Sequence, residues 1–139
     1  MIDQFFADYY PEFRRVVKRN VREWGELPSG PFNTDPIIEP RLKFLSRNPE
    51  YAIVHSETEE DGRLSLCVMF RCKAVIRCKK YLDHGQNEPL STTPFSGGVT
   101  YEIPVSLIVE PGSGEIDDFE ISEDLAWEKW DNWPKEQDQ

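Results

Sequence analysis

Apolar side chains occupy every even position from Leu64 to Cys78: Leu64, Leu66, Val68, Phe70, Cys72, Ala74, Ile76 and Cys78. The odd positions hold Arg63, Ser65, Cys67, Met69, Arg71, Lys73, Val75, Arg77 and Lys79. Side chains alternate across a strand, so this period of two predicts one strand with an apolar face and a largely basic face. A straight run of that length would span about 50 Å, which predicts a bulge or sharp bend within it. A second alternation places Val99, Tyr101, Ile103, Val105, Leu107 and Val109 on one face and Thr100, Glu102, Ser106 and Glu110 on the other. Pro104 interrupts it; having no N–H for the ladder, it calls for an edge position or a bulge. Residues 51–56 read as a short strand, followed by a tight turn at Asp61-Gly62. Pro111-Gly112-Ser113-Gly114 reads as another turn, with a returning strand over 115–121.

The period is helical elsewhere. Phe13, Val16, Val17, Val21 and Trp24 recur on one stripe, and Pro11 suits a first helical position, so 11–24 is predicted to be an amphipathic helix ending at Gly25. Residues 2–9 are expected to form a short helix anchored by Phe5, Phe6 and Tyr9. Residues 25–36 and 81–98 read as loops rich in turn formers. Glu39-Pro40 resembles a second helix start, with an end at Asn48-Pro49. Ser122 is expected to cap a closing helix, with Glu123 and Asp124 in its first turn, Leu125, Trp127, Trp130 and Trp133 along it, and Pro134 as its end. The fold class that follows is α+β: N-terminal helices, a curved antiparallel β-sheet laid out as a meander, and a short C-terminal helix, in one domain over 1–134 with a frayed tail over 135–139. This element order resembles the curved-sheet layout of cystatin-like and scytalone-dehydratase-like proteins. The resemblance implies a pocket inside a cone-shaped sheet, and it transfers no functional residue.

At 139 residues the chain is the size of one domain, and 12% aromatic content argues against a wholly disordered one. No apolar run approaches the roughly 20 residues of a spanning helix, and the acidic start lacks the bases of a signal peptide; a cytoplasmic location is expected. Charge changes the picture more. The net charge of −10 is not spread evenly: residues 1–109 carry 15 acids and 14 bases, whereas 110–139 carry 11 acids and two bases. Such an acidic segment repels nucleic acid and anionic membrane and attracts basic surfaces. Cys67, Cys72 and Cys78 form no Cys-x-x-Cys, and His55 and His84 stand at no metal-ligand spacing from them, so reduced thiols are expected, with neither metal nor cofactor.

The basic strand face lacks interleaved aromatic rings, so pairing with Glu102 and Glu110 of the neighbouring strand is expected rather than direct nucleic-acid contact. Asp83-His84 is the one histidine beside an acid, and adjacent residues align poorly as base and orienter. Ser96-Gly97-Gly98 lacks the lysine of a phosphate loop, and no hydrolase, zinc-protease or calcium motif occurs. The remaining constellation is Asp117, Asp118, Glu120, Glu123, Asp124, Trp127, Glu128, Trp130 and Asp131, acids interleaved with residues favoured at binding hot spots. These residues are the expected partner-binding surface of a non-catalytic acidic protein that covers a basic surface of a target protein, as inhibitors and immunity proteins do. Two other classes remain. One is a small-molecule binder or enzyme using His55, Tyr51, Tyr101 and Asp83 in a sheet pocket. The other is a homodimer through strand edges or the Trp-rich segment.

Overall fold

The computed structural model describes residues 1–24, 37–82 and 91–131, with the backbone alone at 37, 38, 80–82, 91–93 and 129–131. Two helices, α1 (Ile2–Asp8) and α2 (Tyr10–Glu23), precede six strands. The strands are β1 (Ile37–Leu45), β2 (Glu50–Thr58), β3 (Leu64–Leu82), β4 (Ser91–Val109), β5 (Ile116–Ile121) and β6 (Ala126–Asp131). They form one curled antiparallel sheet built on the hairpin of β3 and β4, whose register runs from Leu64↔Val109 to Leu82↔Ser91 without a shift. Along the free side of β3, β2 pairs with the first half and β1 with the second. Along the free side of β4, β5 pairs with residues 105–109 and β6 with residues 98–102.

The alternation read from the sequence sets the inner face. Leu66, Val68, Phe70, Cys72, Ala74, Ile76 and Cys78 are buried, as are Val99, Tyr101, Ile103, Val105, Leu107 and Val109. The helices lie on this face. Phe6 and Phe13 stand 5.4 and 5.1 Å from the Phe70 ring, and Trp24 stacks on Tyr101 at 6.1 Å. Asn20 ties the two layers together: its Oδ1 accepts the Tyr101 hydroxyl at 2.8 Å and the Trp24 indole N–H at 3.3 Å. Pro11 falls in the first turn of α2, as its ring geometry favours.

Five local expectations are corrected. Residues 37–45 are a strand, not the start of a helix, because the second half of β3 would otherwise be an open edge. Pairing there outweighs the weak helical spacing of Ile37, Ile38, Leu42, Phe44 and Leu45. Pro40 is tolerated inside a register shift between Ile38 and Arg41, where Glu39 takes φ 52°. Strand β4 begins at Ser91, inside the stretch read as loop. No bulge interrupts β3 along β4; the register shifts fall on β1 and β2.

The closing helix is also a strand. The Ser122 Oγ does accept a backbone N–H, that of Asp124 at 3.1 Å, but this closes a turn, after which β6 takes the open edge of β4. Trp127 lies opposite Tyr101 and Glu128 opposite Thr100, so inner and outer faces alternate. A register shift then sets three residues of β6 against two of β4. Pro104 is neither on an edge strand nor at a bulge of the β3–β4 register, and it is accommodated in another way. Its carbonyl accepts from Ser122 at 2.9 Å, so its N–H-less nitrogen faces the gap where the neighbour of β4 changes from β6 to β5.

Candidate functional site

The register Leu64↔Val109 sets the β2–β3 and β4–β5 turns side by side. Gly62, at φ 87°, comes close enough that a Cβ there would lie 3.9 Å from Pro111 Cγ. Each turn is built by local bonds: Glu59 and Arg63 close the first, and Glu110 accepts from Gly114 and donates to Glu115 in the second. Together they gather Glu57, Glu59, Glu60 and Asp61 with Glu110, Glu115, Asp117 and Asp118 at one end of the sheet. Among the described residues Arg63 is the arginine or lysine paired with this group, and His55 lies 3.6 Å from Glu57 at its margin. Arg63 bridges the turns, with Nε 2.7 Å from Asp61 and Nη1 3.0 Å from Asp117. The Arg63 backbone N–H and guanidinium hold the Asp61 carboxyl below its ordinary range, and the two carboxylates hold Arg63 above its own.

The expected partner-binding residues divide. Asp117 is paired with Arg63; Glu123 lies 3.4 Å from Arg15 and 3.1 Å from Arg19; Glu128 bonds Arg71. Asp118 Oδ1 accepts the Phe119 N–H, and Glu120 and Asp124 make no ion pair among the described residues. Trp127 is half-buried, 5.5 Å from Trp24, so it serves the core. The side chains of Trp130 and Asp131, and the whole of Trp133, lie outside the described residues. Among the described residues, carboxylates gather at the paired turns as well as along the last segment. Glu57, Glu59, Glu60 and Asp61 are residues that reading along the chain missed. The signal for them was the two turn motifs, Asp61-Gly62 and Pro111-Gly112, standing at the matched ends of the two longest alternations.

The enzyme candidates do not converge. His55 is 61% exposed on edge strand β2, 3.6 Å from Glu57, whereas Tyr101 is fully buried in the core. Burial pushes the Tyr101 phenol upward. Tyr51 lies partly exposed against Phe70, and Asp83 and His84 lie outside the described residues. Burial also pushes the Cys72 thiol up to about 12, which keeps it neutral and unreactive at physiological pH. Among the described residues no group of three or more His, Cys, Asp or Glu is arranged to hold a metal ion, and no helix is long and apolar enough to cross a membrane. On the basic face, Arg71 pairs with Glu128 and, at 4.0 Å, with Glu102, as expected; Glu110 sits instead in the acidic turn. No family description, curated protein or solved structure matches this chain.

Proposed function

We propose that the protein is a non-catalytic interaction protein whose acidic turn end covers a basic surface of a target protein, in the manner of an inhibitor or immunity protein. The observation that carries this reading is the pairing of two acidic turns, bridged by Arg63 between Asp61 and Asp117, with Glu59, Glu60, Glu110 and Glu115 in the turns and Glu57 and Asp118 on the adjoining strand ends. Like charges gathered this way repel one another and weaken the fold; a cationic partner removes that repulsion and is steered toward it. Pairing of Glu123 and Glu128 with the body of the molecule supports a surface shifted toward Glu57–Asp61 and Glu110–Asp118, with Glu120 beside it. The pocket-enzyme reading draws no support from the spread of His55, Tyr51 and Tyr101.

The test is affinity capture from the native host with mass spectrometry, using the wild type and a variant with Glu57, Glu59, Glu60 and Asp118 changed to Gln or Asn. The expected result is a basic protein held by the wild type, released as salt rises, and lost with the variant. Retention of the same protein by the variant, or capture indifferent to salt, would overturn the reading.

A further inference from the structure

Among the described residues, the opposite end of the sheet gathers cations of its own. Arg41 of β1 and Arg77 of β3 are direct cross-strand partners, and Ser96 of β4 continues the same row on the outer face. Side chains so paired stand about 5 Å apart at Cβ, and like charges in that position are unfavourable. Among the described residues neither guanidinium has a carboxylate within ion-pair reach. The nearby Glu39 is engaged by Lys79, at 3.1 Å. The other half of the basic face shows the contrast, since Arg71 there is neutralised by Glu102 and Glu128. Arg41, Arg77, Lys79 and Ser96, with Glu39 and Phe95 beside them, line a hollow of about 600 Å³, the size of a small-ligand site. Arg41 also lines a second hollow of about 480 Å³ with Lys18 and Arg22 of α2. Two grooves that share Arg41 therefore present cations from a helix and two strands.

We propose that the Arg41–Arg77 row is a binding site for the phosphate group of a small phosphorylated ligand. Two planar guanidinium forks on adjacent strands can bracket one tetrahedral dianion, and the Ser96 hydroxyl adds a neutral donor. The anion removes the repulsion between the arginines, while the Glu39 carboxylate that shares the hollow has its charge offset by Lys79 at 3.1 Å. The volume suits a sugar or nucleoside monophosphate. Phe95 is the one aromatic among the described lining residues; it is half-buried and packed against the core, so a single strand of nucleic acid meets no row of rings on which successive bases could stack. This site lies at the other end of the sheet from the acidic turns and stands or falls independently of the proposed function.

The test is titration of the isotope-labelled full chain, followed by backbone amide shifts, with inorganic phosphate, a sugar monophosphate, a nucleoside monophosphate and a short single-stranded oligonucleotide, all at constant ionic strength. Saturable shifts at Arg41, Arg77 and Ser96 with the monophosphates are expected, weakened at least about 10-fold by Arg77→Gln and only partly by Arg77→Lys. Arg14→Gln, on the helix, is expected to leave the affinity unchanged. Without ligand, Arg77→Gln is expected to melt about 2 °C higher than the wild type, because it removes the like-charge pair. Shifts matched by chloride alone, binding unaltered in Arg77→Gln, a lower melting point for that variant, or tight binding of the oligonucleotide with none of the monophosphates would each overturn the proposal.

Discussion

Asn20 shows how one polar side chain locates a helix on a sheet. It sits on α2 among Val16, Val17 and Val21, yet its Oδ1 takes donors from Trp24 on its own helix and Tyr101 on β4. A phenol fully buried at the centre of the sheet must place its proton, and Asn20 supplies the acceptor. Asn20→Ala removes that acceptor from the Tyr101 hydroxyl and is expected to cost about 2 kcal/mol, read as a lower urea midpoint at unchanged slope. Asn20→Asp, which keeps an acceptor in place, is expected to lose less despite its charge. A loss of stability in Asn20→Ala too small to resolve would mean that the Tyr101 proton has another acceptor. The Tyr10 hydroxyl does similar work at the other margin of the core, donating to the Leu45 carbonyl while Arg47 lies 3.9 Å over its ring.

Among the elements, those with a strong period and no competitor were legible in the sequence. The stripe of α2 and the alternations of β3 and β4 each bury one face, and a slip of one residue would turn every apolar side chain outward, so the pattern and the fold must agree. The short segments that complete the sheet were not legible. Residues 37–45 and 126–131 carry mixed spacing, and each becomes a strand because β3 or β4 leaves an edge open beside it. That information lies in a partner distant in sequence. The candidate site was legible only in part for the same reason: the carboxylates of 57–61 and 110–118 become one surface through the β3–β4 register. The turn that presents them depends on Gly62, whose φ of 87° an L-residue rarely adopts. Ordinary van der Waals distance to Pro111 leaves room for a methyl group, so the strain of Gly62→Ala is conformational rather than steric. The expected loss is about 1 kcal/mol in thermal unfolding, and no loss would contradict the left-handed turn.

For the whole molecule, the sheet separates charge along its length: acids at the β2–β3 and β4–β5 turns, and Arg41 and Arg77, without an ion pair among the described residues, toward the other end. Like charges grouped in this way cost folding stability, so stability and partner binding are expected to respond to them in opposite directions. Glu60 is the position where this separates cleanly, since it is exposed, makes no ion pair among the described residues, and sits between Glu59 and Asp61 in the first turn. Glu60→Lys places a base amid that carboxylate group. It is expected to raise stability by a few tenths of a kcal/mol, an effect that added salt erases. In the same variant, association with the basic partner captured by the wild type is expected to slow, with dissociation changed less, because a charge at the edge of a contact acts mainly on encounter. Stopped-flow association at two salt concentrations, alongside thermal melts, reads both effects. A variant that melts higher and associates at the wild-type rate would show that these carboxylates serve solubility alone. One that melts lower would show that the turn end is held together by contacts other than those of Arg63.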